Sequence, residues 1–427
     1  MGFQQRLSEI RTGFERAFWV ANVSELFERL AYYAAFASLA NYLHEALGFS
    51  TEQTSNLAGF FGGLVWFLAI VGGALADRLG FRRALSTAYL ILTASYFLLG
   101  SIGSPWLGPL RNAVPLWWLV LIILALPALG VALVKPSVVG TTARASKENV
   151  RSIGYSIYYT LVNVGGAAGP YMAAVVHTHL GVANVFRVSA LFVFAMLIAV
   201  LLFFREPERS GETRTATLGQ AGRNFLTVLS NPRFMLFLII FSGYYVVFWQ
   251  EFITLPLYVH AYIDPNANVE MILITDAAAV ICLQIAISYF LRGLAPFKAI
   301  TLGMLISALG WMILSFHAAV WAAVLSIFVV AIGEMVQQPR YYEYISRLAP
   351  LGQQGTYMGF AFLPLGIGSL VGGWMGGRLM HHFGEVTHHP EQMWWAITGV
   401  GVATALLLWL YDYFLKPDAA KSVVPAA

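Results

Sequence analysis

Charge and cysteine are what this chain has least of. Only 11% of its 427 residues are Asp, Glu, Lys or Arg, against roughly a quarter in soluble domains, which excludes an ordinary water-covered globular fold. One cysteine, Cys282, rules out any disulfide within the chain. There is no phosphate-cradling GxxxxGK segment and no hydrolytic grouping of residues, and the polar remainder is too short for a nucleotide-binding domain. Neither an enzyme nor an ATP-driven pump is expected, and no cofactor. The opening MGFQQRLSEIRTGFER lacks the short apolar core and small-residue cleavage site of a signal peptide, so the first apolar run is expected to stay in the mature protein.

What is present is apolar: 59% hydrophobic residues and a mean hydropathy of +0.70. This composition predicts an all-α polytopic membrane protein embedded in a lipid bilayer. Runs long enough to span fall near 17–43, 55–76, 84–103, 116–143, 151–178 and 183–204, and again near 233–262, 269–291, 295–316, 319–345, 354–383 and 392–415. Twelve transmembrane helices place both termini on one side. Of the 25 Lys and Arg, 19 fall on that side, so it is expected to be the cytoplasmic face of the plasma membrane.

The two sets of six spans are offset by about 215 residues, and that shift lays Arg83-Ala-Leu-Ser on Lys298-Ala-Ile-Thr. The organisation read from this faint repeat is an N-terminal half at 1–204, a polar cytoplasmic linker at 205–232 and a C-terminal half at 233–427. Duplicated six-helix halves are the architecture in which a midplane site opens to each side in turn.

Within the first span, Glu25, Glu28, Arg29, Tyr32 and Tyr33 stand at i, i+3, i+4, i+7 and i+8, on one face of a helix. Charges at bilayer depth cost a few kcal/mol each and ordinarily mark an ion or substrate path. Span ten repeats the spacing with Glu334, Gln337, Gln338, Tyr341 and Tyr342. Glu28 and Glu334 are both read near mid-membrane, lining one cavity, whereas Tyr341 and Tyr342 read as an interfacial aromatic belt. Arg340 and Glu343 read as an i, i+3 pair. Span seven adds Glu251 beside Trp249, and span eight adds Asp276. Five membrane carboxylates (Glu25, Glu28, Glu251, Asp276, Glu334) face two cations, Arg29 and Lys135. Protons and an amine-bearing solute are the two simple ways to neutralise the excess.

The segment Gly73-Ala-Leu-Ala-Asp77-Arg78-Leu-Gly80-Phe-Arg82-Arg83 resembles the signature loop of the major facilitator superfamily. Asp77 can pair with Arg78 or Arg82, or meet a helix N-terminus, forming a cytoplasmic gating latch. A positive-inside turn with a capping aspartate is the plainer reading.

Four further segments resemble the proton-dependent oligopeptide transporters within that superfamily. Glu25-Leu-Phe-Glu28-Arg29-Leu30-Ala-Tyr32-Tyr33 is similar to their ExxERFxYY signature, with Leu30 for the usual Phe. Lys135-Pro136 and Tyr158-Tyr159-Thr-Leu-Val-Asn163 are similar to their span-four and span-five patterns. Gly333-Glu334 with Pro339 and Leu348-Ala349-Pro350 follows their span-ten signature. The resemblance implies a symporter importing di- and tripeptides with protons, in which Glu25, Glu28, Arg29, Lys135 and Glu251 couple protons. It further implies that Tyr32, Tyr33, Lys135, Tyr159, Asn163, Trp249 and Glu334 meet the substrate. A static polar cluster holding helices together is the alternative for the charged face. The chain departs from the pattern at Phe36, where the peptide carriers place an arginine for the substrate carboxylate, so a proton-coupled carrier of another amine, an anion or a drug is the second reading. It also lacks their two extra helices between the halves. A membrane receptor or scaffold without transport is the remote alternative.

All nine histidines fall at external ends or loops and read as incidental surface residues, with His381, His382, His388 and His389 spaced as a weak transition-metal pattern. No metal and no nucleic acid are expected as partners, and the protein is read as a monomer.

Overall fold

Each apolar run is helical in the computed structural model, which describes residues 12–207, 226–291, 293–348 and 354–415. We label the long helices α1 (Arg16–Asn41), α2 (Thr51–Leu79), α3 (Phe81–Gly100), α4 (Leu116–Arg144), α5 (Arg151–Leu180) and α6 (Val182–Phe203). In the second half they are α7 (Pro232–Phe248), α8 (Val269–Phe290), α9 (Pro296–Met312), α10 (Val320–Leu348), α11 (Leu363–Leu379) and α12 (Gln392–Leu415). No strand occurs among the described residues; a single antiparallel bridge joins Phe14 to Ser146.

Eight described helices or helix runs are long and apolar enough to cross a membrane, and α3 with the bent segment that follows it makes a ninth. The remaining three, α1, α2 and α5, have 26, 29 and 30 residues. At 1.5 Å per residue these lengths of about 39–45 Å also reach across a bilayer. In α1 it is the charges that lower its apolarity, and those same charges are its interest. Twelve therefore remains the number read from the sequence.

The chain packs as two units. The first is built on α1 to α6 with Asn268–Ile274 from the start of α8; the second takes α7, the rest of α8 and α9 to α12, with Ala58–Gly63 of α2.

In the first unit α1 runs between α5, α6 and α4. Two glycines a turn apart bring α5 close: a Cβ on Gly165 would stand 2.6 Å from the Leu26 carbonyl oxygen, and one on Gly169 would stand 2.7 Å from that of Leu30. Small residues at i and i+4 let helix backbones approach where lipid supplies no hydrophobic drive. The polar groups of α1 then find partners in the same layer. Asn22 Nδ2 donates to Thr142 Oγ1 of α4 at 3.1 Å, and Tyr89 of α3 donates to Ser24 Oγ at 2.9 Å.

In the second unit span seven is broken. After α7 come the short turns Gln250–Ile253 and Leu255–Tyr262, with Pro256 at the start of the latter removing one backbone donor. Gln250 ties the break to its neighbour: its Nε2 donates to Val246 O (2.7 Å) and to Gly372 O of α11 (3.1 Å), and Thr254 Oγ1 donates to its Oε1 (2.6 Å). An aromatic layer fills the interior, with Phe241 stacked on Tyr341 at 4.1 Å and Trp311 on Trp394 at 4.9 Å. Tyr341 is fully buried and donates to the Ala361 carbonyl, so it belongs to the core and not to an interfacial belt.

Candidate functional site

The charged face of α1 is turned inward. Glu25, Glu28 and Arg29 are 1%, 0% and 5% exposed. Arg29 grips Glu28 with two parallel bonds, Nε to Oε2 at 2.6 Å and Nη2 to Oε1 at 2.9 Å, while Glu25 Oε1 lies 3.7 Å from Arg29 Nε. The guanidinium also stands over the Tyr32 ring at 5.0 Å. A fork-to-carboxylate pair is the strongest geometry for two ions removed from water, because it satisfies several donors at once. Glu25 is the weaker partner: both its carboxylate oxygens are buried without a hydrogen bond. One tight and one loose carboxylate on a single arginine form a site that can exchange a proton for a pairing.

Lys135 of α4 enters the same electrostatic neighbourhood, acting on Glu25, Glu28 and Arg29, and its Nζ stands over the Trp66 ring at 5.4 Å. Four of the five residues named for proton coupling thus come together in the first unit. Of the tyrosines, Tyr32 is buried edge-to-face on half-buried Tyr33. Tyr159 is exposed, and Asn163 Nδ2 donates to its carbonyl at 2.8 Å. Phe36 is buried and stacks on Tyr32 at 5.9 Å and 12°, so aromatic packing occupies the position at which the resemblance has an arginine.

The second unit gathers the other carboxylates. Glu251 sits in the break of span seven, 0% exposed, with both oxygens lacking a hydrogen-bond partner. It is acted on electrostatically by Asp276 of α8 and Glu334 of α10. Among the described residues no ion pair joins any of these three to a cation. Around them lie further buried polar atoms without a hydrogen-bond partner, the Tyr244 hydroxyl and the Gln337 amide. Trp249, named for the substrate, is buried and gives its indole N–H to the Leu365 carbonyl at 3.0 Å. Arg340 reaches Glu343 at 2.8 Å as the i, i+3 spacing predicts.

At the junction of α2 and α3, Asp77 and Arg78 belong to the last turn of α2 rather than to a loop, and their side chains lie outside the described residues. Arg82 is exposed, and its guanidinium donates to the Leu201 carbonyl at 2.7 Å. A residue missed in the sequence completes this corner. Glu206, two residues past the end of span six, accepts from the backbone N–H of Phe81 and of Arg82, both at 2.8 Å. A carboxylate on the first N–H groups of a helix satisfies orphan donors and opposes the positive end of its dipole. A glutamate that is the second residue of a polar linker carries no periodic signal in the sequence. Gly80 makes the corner possible with φ +79° and ψ 150°, a region closed to side chains. Gly80→Ala is expected to destabilise the fold by about 1–3 kcal/mol, measurable as a lower unfolding temperature in detergent.

The histidines are not all incidental. His177 near the end of α5 is half-buried, and its Nδ1 lies 2.8 Å from Oε1 of Glu270, a residue of α8 that is 1% exposed and that no sequence motif singled out. His381 and His389 instead pair with the exposed Glu385 and Glu391, and no group able to hold a metal ion occurs among the described residues.

An all-helical membrane protein with buried charge networks and a broken span fits a membrane transporter. The model of the Major Facilitator Superfamily matches residues 23–363, and the chain belongs to that family. It is similar to the Multidrug resistance protein MdtH of Escherichia coli (strain K12 / DH10B), 24% identical over 396 residues, which cover 89% of this chain and 90% of that one. Its fold is that of solved peptide transporters. It matches the peptide transporter POT in complex with sulfate at a TM-score of 0.75 and 18% identity, covering 93% of this chain and 94% of that one. A POT family transporter in complex with 5-aminolevulinic acid matches at 0.76 and 17%, covering 93% and 96%.

Proposed function

We propose that this protein is a proton-coupled symporter of the cytoplasmic membrane, importing small amine-bearing solutes by alternating access, di- and tripeptides first among them. The proton gradient is its energy source, no cofactor takes part, both termini are cytoplasmic, and the working unit is the monomer. The observation that carries the reading is the α1 network, in which Arg29 holds Glu28 tightly and Glu25 loosely. Protonation of one carboxylate shifts the arginine between partners and so ties the state of α1 to the gradient. Glu334, without a cation of its own among the described residues, suits a substrate ammonium group, and Glu251, likewise without one, suits a proton. Two POT family transporters of like fold were solved in complex with a thioalcohol conjugated peptide and with 5-aminolevulinic acid, which supports the same class of solute.

One observation favours a second reading. Phe36 stacks on Tyr32 where a carboxylate-binding arginine would stand, which suits an organic cation exchanged for protons, and the name of the MdtH relative points the same way.

Uptake into proteoliposomes under an imposed inward proton gradient separates the two. Dipeptide accumulation that collapses with a protonophore is the expected result, measured against a panel of amines and nitrate. If no dipeptide is accumulated or competes while an amine is, the peptide reading fails and the organic-cation reading replaces it. Binding without accumulation of any solute would instead indicate a receptor.

A further inference from the structure

We propose that His177 and Glu270 form a second proton-binding site, at the end of α5 away from the cytoplasmic face, whose occupancy fastens the start of α8 to the first unit. Glu270 lies in the first turn of α8, beside the orphan N–H groups of the helix start. Its Oε1 accepts from Ser38 Oγ of α1 at 3.0 Å and meets His177 Nδ1 at 2.8 Å. A carboxylate only accepts, so Nδ1 carries the proton toward it. The half-buried ring can then take a further proton at Nε2 without breaking the existing bond. The bond from a neutral ring to a carboxylate becomes an imidazolium–carboxylate ion pair, which adds the attraction of opposite charges to the hydrogen bond already present.

The surroundings are arranged so that this charge change is felt locally. Ser38 is fully buried, one turn along α1 the Asn41 amide is buried with neither atom bonded, and the buried Tyr42 hydroxyl that follows donates to the Leu99 carbonyl. From α6, the Arg187 guanidinium is committed to Asn184 Oδ1 at 3.0 Å and to Ser104 Oγ at 3.1 Å. On α5 itself His179 is exposed. On the segment leading into α8, Asp264 is turned to the backbone N–H of Asn266 at 2.9 Å, and the second imidazole nearby, His260, meets the Ala267 carbonyl through Nε2 at 2.9 Å. Beside the pair, Asn268 caps α8 by accepting from Met271 N at 3.0 Å and donates to Thr178 Oγ1 of α5 at 3.3 Å. The stretch Asn268–Ile274 is thereby part of the first unit although the rest of α8 belongs to the second. By linkage, whatever favours the paired arrangement also favours the proton on His177, and the converse. A site of this kind reads the pH of the non-cytoplasmic compartment in the range where imidazole titrates, and it does so whichever solute is carried.

Hydrogen exchange of the full-length purified protein tests this without any substrate. In the wild type, amides of 269–275 are expected to become about tenfold better protected as pH falls from 8 to 5.5, after correction for intrinsic exchange, the weight of one charge-assisted bond. His177→Gln should remove that pH response, and His177→Lys should hold the segment protected across the whole range. Glu270→Gln should abolish the response in either background. Exchange at α9 and α10, unchanged in each variant, reports that the protein is folded; where a variant fails this check, Glu270→Asp, which keeps the charge, takes its place and should retain the pH response. A pH response that survives in His177→Gln, or that is absent from the wild type, overturns the proposal.

Discussion

Glu28→Gln is expected to abolish accumulation driven by a proton gradient, by tenfold or more, while leaving exchange between internal and external solute within about twofold. Glu28 is fully buried and accepts both arms of Arg29. The amide keeps the shape and one acceptor but can neither carry the charge that holds the arginine nor exchange a proton. Arg29 is left to Glu25, 3.7 Å away in the wild type, and the partner switch that would register a proton is fixed in one position. Exchange between solute pools needs the protein to reorient with solute bound but needs no net proton movement, so it should persist. Radiolabel uptake and counterflow in the same proteoliposomes give the two numbers. Equal loss of both would assign Glu28 to the scaffold, and full retention of gradient-driven uptake would remove it from coupling altogether.

The charged face of α1 was legible in the sequence because its argument is one-dimensional: i, i+3, i+4, i+7 and i+8 in an apolar run define a face whatever packs on it. The spacing does not say how the charges divide among partners. Arg29 could be read as shared by Glu25 and Glu28, yet the structure gives Glu28 the bidentate grip and Glu25 only a loose approach. Tyr341 was misread for a related reason. Its position near the end of span ten suggested an interface, but the stack on Phe241 depends on α7, 100 residues earlier, and the bond to Ala361 on the turn before α11, 20 residues later. Glu206 and Glu270 were invisible because each works through a contact between elements distant in the chain. One caps α3 across 125 residues, and the other accepts from α1 across 232. Both stand at segment ends, where an acidic residue is so ordinary that sequence alone gives no reason to single it out.

The largest effect on the folded state is expected at Arg29. Removing one partner of a buried ionic group typically destabilises by about 3–5 kcal/mol, because the charges left behind have lost both water and counter-ion. In Arg29→Met the apolar chain fills the space, but Glu25 and Glu28 remain at about one helical turn's separation in a layer only 0–1% exposed, with Lys135 of α4 as the remaining cation in their neighbourhood. A substantial loss of membrane yield and a lower unfolding temperature should follow. Arg29→Lys should fall between, since an ammonium keeps the charge but cannot present the parallel donors that Glu28 accepts. The diagnostic variant is the double one. If the penalty is the unpaired carboxylate, Arg29→Met with Glu28→Gln must be more stable than Arg29→Met alone, a coupling that a thermal-unfolding cycle on the four proteins measures directly. If the two substitutions simply add, the destabilisation comes from lost packing against Tyr32, over whose ring the guanidinium lies at 5.0 Å, and the α1 network is then a set of contacts and not a charge balance.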